Sequence, residues 1–281
     1  MLLLGKEKKM GFKHLSYSHL HLLACPYSAF LKYQAAVKGP TTKWIALGNA
    51  VHHALEKSHI EGVFNLIEAQ VLFTTEFSRI VEDEEVSIGW PELKKMEAEG
   101  IDMVVKYDAQ INEGIISSSP MALEEPFEIP FLGTKIIGKI DKLERVAEGI
   151  IVTDFKTGKT KPTQWSLSHN VQLSTYAWAV LEKYGELPYK VIWAHLRTGE
   201  LLESARTMQD INDVKNMVGN AIAINDAGIR TRIYHDDVCG HCDYQGPTCD
   251  DRGLEKEAVE ALAIGERLEP RVVIKPARWS L

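Results

Sequence analysis

The feature that most constrains the fold is a change of period at residue 121. Upstream, apolar residues recur at helical spacing. "ALGNAVHHALEKSHI" turns Ala46, Ala50, Leu55 and Ile60 inward, and residues 63–112 keep the same pattern with a break around "SIGWPEL". Downstream, "MALEEPFEIPFLGTKIIGKIDKLERVAEGIIVTDFKTGKT" alternates and reads as three strands, with turns at Gly133 and at Ala147 to Gly149. Helical periodicity then returns in "SLSHNVQLSTYAWAVLEKYG", which Gly185 should stop. A second hairpin follows in "YKVIWAHLRTGELLESARTM", then a helix near 210–226. Such an order predicts an α/β fold with a central mixed sheet flanked by helices. The expected organisation is one domain over 1–281, with a helical part (16–120), a sheet core (121–208), and a C-terminal helix, cysteine loop and tail (209–281).

At the N-terminal end, Ser16 and Ser18 are candidate caps for a helix that Leu20, Leu23 and Ala24 give an apolar face and Pro26 interrupts. With 281 residues, 45% of them hydrophobic, the chain has enough apolar surface for a full core. No apolar run reaches the roughly 18 residues of a membrane helix, so a cytoplasmic protein without a membrane partner is expected. The net charge of −7 argues against a general nucleic-acid coat. Residues 135–161 reverse it locally, with seven basic side chains against four acidic ones. Lys139, Lys142, Lys159 and Lys161 in that stretch are candidate DNA contacts.

If Arg145 pairs with Ile150 across the 147–148 turn, Asp141 lies directly opposite Asp154, and Lys156 shares the face of Asp154. Opposed carboxylates destabilise a sheet unless a cation joins them. Mg²⁺ or Mn²⁺, whose ligands are oxygens and whose shell a phosphate completes, is the natural choice. The bland alternative is a solvated hairpin, and a one-residue slip would separate the acids. "GKT" at 158–160 is not a phosphate loop, because the required upstream glycine is Thr153.

Gly138-Lys139-Ile140-Asp141 followed by Asp154-Phe155-Lys156-Thr157 resembles the core of the PD-(D/E)xK nuclease superfamily in its RecB-like branch. "LGNAVHHALE", through Gly48, His52, Leu55 and Glu56, is similar to that branch's upstream G-x-x-x-H-x-x-L-E helix. "VQLSTYAWA", through Gln172 and Tyr176, is similar to its downstream Q-x-x-x-Y helix. The resemblance implies a restriction-endonuclease-like core in which Asp141, Asp154, the Phe155 carbonyl and His52 hold Mn²⁺ or Mg²⁺. Lys156 would serve the attacking water and the phosphate, with Gln172 and Tyr176 positioning lysine or substrate. His53 is the alternative ligand, about 100° around the helix from His52. Tyr176 could be core packing and Glu56 a surface charge. Glu124 and Glu125 could reach the metal but read first as a solvated edge.

Cys239 and Cys242 form a C-x-x-C, Cys249 follows, and Cys25 lies far upstream, so all four cysteines of the chain are used. With Ser16, Ser18, Leu20 and Pro26, this arrangement resembles iron–sulfur RecB-type exonucleases, including CRISPR-associated ones and the nuclease modules of recombination helicases. The resemblance implies a [4Fe-4S] cluster on the four cysteines. The alternatives are Zn²⁺, with His235 or His241 as substitutes, and free or oxidised cysteines. The implied function is a metal-dependent DNA exonuclease, phage-encoded or CRISPR-linked, acting on DNA ends or single strands. Its possible partners are further copies of itself or proteins of recombination, repair or CRISPR adaptation. The competing readings are a non-catalytic nucleic-acid-binding or assembly subunit, and a zinc-stapled structural protein.

Overall fold

In the computed structural model the described residues are 14–22, 24–60, 62–235, 239–240, 242–245, 247–250, 260 and 271–272. The chain divides into two compact units, one of residues 41–129 and 137–214, the other of residues 1–40, 130–136 and 215–281. Among the described residues no helix is long and apolar enough to cross a membrane.

The larger unit is built on a five-stranded mixed sheet in the order β4-β5-β6-β7-β8. These strands are β4 (Ala122–Phe131), β5 (Thr134–Val146), β6 (Gly149–Lys156), β7 (Lys190–His195) and β8 (Glu200–Ser204). β4 is an edge strand, which explains how it tolerates Pro126 and Pro130. β6 is central, and the apolar run "GIIVTDF" is buried throughout. β5 and β6 pair antiparallel, β6 and β7 parallel, and β7 and β8 antiparallel. The parallel step needs a crossover, supplied by α6 (Gln164–Ser168) and α7 (Val171–Tyr184). Gly185 ends α7 in the left-handed conformation, φ +75°, as its place after the helix predicts.

Three helices occupy the predicted helical region: α3 (Lys43–Lys57), α4 (Leu66–Asp83) and α5 (Trp90–Asn112). Thr42 and Asn65 cap α3 and α4 through their side chains. Pro91 opens α5, so the "SIGWPEL" break is a true helix boundary. Ala46, Ala50 and Leu55 are buried as expected, whereas Ile60 has left the helix for a short strand, β2 (His59–Ile60), paired with β3 (Val63–Phe64). Phe73 and Phe77 of α4 pack with Met103 and Tyr107 of α5 in one core, which Phe155 and Ala194 join from the sheet. This places the α3 face carrying His52 against the end of β6.

In the smaller unit, α1 (Tyr17–Leu22) and α2 (Pro26–Tyr33) precede β1 (Val37–Lys38), which pairs in parallel with β9 (Arg271–Val272). Pro26 corrects one expectation: it occupies the first turn of α2, where a missing N–H costs nothing, and so starts a helix rather than breaking one. Leu20 is buried but Ala24 is exposed, and Leu23 lies outside the described residues. The helix expected near 210–226 is α8 (Met208–Asp226); α9 (Pro247–Asp250) carries Cys249.

Candidate metal centre and cysteine site

The β5–β6 register is the one the turn predicts. Arg145 faces Ile150 and Lys142 faces Thr153, which leaves Asp141 and Asp154 as the next two residues across the ladder. Both are buried, at 8% and 1% exposure. Asp141 Oδ2 accepts the Phe155 N–H at 2.7 Å, so its carboxylate is fixed by the neighbouring strand. Two glycines shape the surroundings. A Cβ on Gly138 would stand 2.5 Å from the Phe127 ring, and that ring packs edge-on to Tyr176 at 6.0 Å. A Cβ on Gly48 would stand 3.0 Å from Thr157 Oγ1, so glycine lets α3 approach the end of β6.

His52 reaches the site from α3. Its Nε2 lies 3.2 Å from the Phe155 carbonyl, which can only accept, so Nε2 carries a proton and Nδ1 faces the carboxylates. Nδ1 is 3.6 Å from both Asp141 Oδ1 and Glu124 Oε1. Among the described residues, His52, Glu124 and Asp141 form a trio that could hold a metal ion, with one donor atom of each within 4.8 Å of the others. Asp154 stands outside this trio and contacts Lys156.

Burial pulls the His52 pKa down, but Asp141, Glu124 and Asp154 outweigh it and raise it to about 9. Burial pushes Asp141 up to about 7 although His52 opposes this, and the His52 hydrogen bond holds Glu124 below the usual carboxylate range. In the metal-free protein the imidazolium proton thus sits where a cation would neutralise the same acids. One imidazole nitrogen and convergent buried carboxylate oxygens are a donor set that suits Mn²⁺ or Mg²⁺.

Glu124 is the residue that sequence reasoning underrated. Its backbone is left-handed, φ +47°, inside β4, and such a bulge re-aims a side chain beside a site. Glu125 points elsewhere and pairs with Lys183. Glu124 also meets Lys139 at 3.6 Å. The trio lines a groove of about 520 Å³ together with Trp44, Gly48, His53, Glu56, Glu76 and Thr157. His53 is therefore near the site but not in the trio.

On the other side of the trio, Lys156 Nζ lies 2.5 Å from Asp154 Oδ2, an ion-pair contact that lacks hydrogen-bond geometry and leaves this buried oxygen without a directed donor. Lys156 donates instead to Gln172 Oε1 at 2.9 Å, and Gln172 Nε2 donates to Tyr176 Oη at 2.8 Å. The two α7 residues, one turn apart, thus act on a single lysine. Burial, reinforced by Asp154 and Asp141, pushes the Tyr176 phenol well above its ordinary range, so it stays protonated.

The basic stretch divides. Lys139, Lys159 and Lys161 are exposed, with Lys161 paired to Glu200. Lys142 corrects the surface reading: its side chain is 0% exposed, its ammonium donates to the Ser117 carbonyl at 2.8 Å and lies 3.5 Å from Glu144, and it cannot contact DNA from there.

The four cysteines meet in the smaller unit. Cys25, Cys239, Cys242 and Cys249 are free thiols lining one cavity of about 300 Å³ with Tyr27, Leu31, Tyr234 and Tyr244. Backbone N–H groups point at two sulfurs, Ile233 at Cys25 (3.5 Å) and Tyr244 at Cys242 (3.4 Å). Burial pushes the Cys242 and Cys249 thiols up. A polyvalent metal centre would reverse that cost by taking the thiolates as ligands. His235 is exposed, and His241 lies outside the described residues.

No curated protein matches this sequence. Among solved structures, the chain is similar to "Crystal structure of SSO0001" at 14% identity, over 71% of this chain and 91% of that one, with a TM-score of 0.35. The sequence pattern of the PD-(D/E)XK nuclease superfamily matches residues 14–249, a span that includes the trio, the Lys156–Gln172–Tyr176 chain and all four cysteines. The chain belongs to the PD-(D/E)XK nuclease superfamily.

Proposed function

We propose that the protein is a metal-dependent DNA exonuclease of the RecB-like iron–sulfur type. The observation that carries this reading is the chain Tyr176–Gln172–Lys156 ending beside Asp154, next to the His52–Glu124–Asp141 trio. A protein using this fold only as a platform would have no need for a buried tyrosine that orients a half-buried glutamine against one lysine.

In this reading His52, Glu124 and Asp141 would hold the ion, with Asp154 and the Phe155 carbonyl as further oxygen donors nearby. When bound, the ion supplies Lewis-acid polarisation of the scissile phosphate. Asp141 is fixed for that role by the Phe155 N–H, and His52 by the Phe155 carbonyl, so both ligands are oriented by one backbone unit. The Lys156 ammonium orients the attacking water and offsets charge growing on the phosphate oxygens. Gln172 Oε1 accepts a hydrogen bond from one Lys156 N–H and so directs the others toward the substrate. Protonated Tyr176 accepts from Gln172 and sets the orientation of its amide.

The cysteine cavity supports a cluster more than zinc. A tetrahedral zinc with Zn–S bonds near 2.3 Å needs sulfurs about 3.8 Å apart. Among the described residues no three of the cysteine sulfurs lie within 4.8 Å of one another. A [4Fe-4S] cluster there would tie α2, through Cys25, to the segment bearing Cys239, Cys242 and Cys249. Anaerobically purified protein is expected to be brown, absorbing near roughly 400 nm, and to contain iron; zinc without iron would refute the cluster.

The activity is tested by a time course on DNA labelled at its 5′ or 3′ end, with Mn²⁺ or with EDTA. Short products released progressively from one end are expected only with Mn²⁺. Lys156→Ala should slow their release on the order of 10²–10³-fold. Cleavage that survives EDTA, or is undiminished in Lys156→Ala, would contradict the proposed site.

A further inference from the structure

Trp44 opens α3 two turns before His52, and its indole is 40% exposed. A tryptophan this open, on a helix whose inner face is already filled by Ala46, Leu47 and Ala50, is not there for the core. Three cations surround the ring: Lys159 Nζ lies 4.1 Å from its centroid, Lys43 Nζ 5.5 Å and the Arg197 guanidinium 5.9 Å. Lys43 is engaged with Glu92 at 2.6 Å and Arg197 with Glu99 at 2.7 Å. Among the described residues Lys159 has no carboxylate partner.

The loop that presents Lys159 is held in place. Arg197 Nε donates to the Thr157 carbonyl at 2.7 Å, His195 Nε2 to the Gly158 carbonyl at 2.9 Å, and the Leu196 N–H to the Lys156 carbonyl at 3.0 Å. The residues directly after Lys156 are thus pinned from the end of β7. Trp44 lines the groove that contains His52, Glu124 and Asp141, and also an adjoining recess of about 210 Å³ bounded by Thr157, Gly158 and Lys159. A side chain at Gly158 would meet nothing within 4 Å, so this recess is open space that no packing demand has filled.

An exposed indole beside an ammonium that has no carboxylate partner, on a fixed loop, complements a nucleotide: the base stacks on the ring and its phosphate takes the cation. We propose that Trp44 is a positioning residue that stacks an unpaired base next to the scissile phosphate, while Lys159 moves from the ring to that nucleotide's phosphate. Only an unpaired or frayed base offers its whole face, so the subsite selects single-stranded or melted ends over intact duplex. The inference rests on the nuclease reading for which phosphate is cut, but the binding it describes does not require cleavage.

The test is fluorescence anisotropy of a labelled oligothymidine and of a blunt duplex, with EDTA to prevent hydrolysis, on proteins of matched thermal midpoint. Trp44→Ala should weaken oligothymidine binding about 10–100-fold and leave the blunt duplex nearly unchanged. Trp44→Phe should retain most of the affinity. Gly158→Val, whose Cβ meets no atom within 4 Å, should weaken binding by filling the recess. Lys159→Gln should lower the salt dependence of binding. Unchanged oligothymidine affinity in Trp44→Ala, or an equal loss on both DNAs, overturns the subsite. Trp44-dependent binding by a protein that cuts nothing in Mn²⁺ would overturn the nuclease reading and leave the subsite standing.

Discussion

Asp141→Asn is expected to reduce Mn²⁺-dependent DNA cleavage on the order of 10²–10³-fold while the protein remains folded. Asparagine is isosteric, and its carbonyl oxygen still accepts the Phe155 N–H that Asp141 Oδ2 takes at 2.7 Å. What is lost is the negative charge between His52 and the metal. Asp141 is the largest of the influences raising His52, so the imidazole should titrate well below about 9 in the variant. An NMR titration of the histidine ring protons would see that shift directly. A variant with lowered His52 pKa, normal melting and full activity would show that Asp141 is structural. Glu124→Gln, with the same logic, should weaken Mn²⁺ binding in a calorimetric titration, because Glu124 is the third member of the trio.

The second large effect concerns stability. Lys142→Met is expected to cost about 1–3 kcal/mol, because Glu144 and the Ser117 carbonyl lose a shared buried donor that lysine supplies even as a neutral amine. Glu144 would keep only the Ser117 N–H, at 2.8 Å. Adding Glu144→Gln should recover part of the loss, since glutamine accepts the same N–H without a charge. The wild-type lysine also carries a pH signature. Burial lowers its pKa from 10.5 to about 8, although Glu144 opposes this. Below pH 8 both the folded and the unfolded chain hold the proton, and this group gives stability no pH dependence. Between pH 8 and 10.5 the unfolded chain holds it and the folded protein has released it, so stability from this group rises with pH, by about 3 kcal/mol in all. The difference between wild type and Lys142→Met in urea denaturation across that window isolates the contribution from other titrations. No change in that difference between pH 7.5 and 10.5 would contradict the burial of a lysine that is charged at neutral pH.

The opposed aspartates were legible because two short-range rules sufficed. A two-residue link between β5 and β6 sets the register, and alternation sets the face, so Asp141 and Asp154 could be placed across the ladder without knowledge of the rest of the chain. The helix boundaries at the "SIGWPEL" break and at Gly185 were signalled by proline and glycine chemistry that is likewise local. The failures have a common origin in residues whose position depends on something distant. Glu124 was read as an edge charge because alternation assumes extended backbone throughout, and its left-handed φ breaks that assumption at one residue. Lys142 was counted toward a basic surface because charge was summed along the sequence. Its partner carbonyl belongs to Ser117, 25 residues away, and only folding brings the two together. Trp44 gave no signal at all beyond being apolar in an apolar helix; its exposure and its cationic neighbours are properties of the folded surface. The four cysteines were legible as a set from their number and spacing, but the cavity they line together was not.

His52, Glu124 and Asp141 are proposed to hold a divalent cation beside Lys156. The most direct measurement is an anomalous difference map from crystals of the wild-type protein soaked in Mn²⁺. The expected result is a single strong peak about 2.0–2.3 Å from a carboxylate oxygen of Asp141 and of Glu124 and from a ring nitrogen of His52, with no peak in Asp141→Asn. A well-ordered site with no peak there, or Mn²⁺ bound elsewhere while the protein degrades DNA, would contradict it.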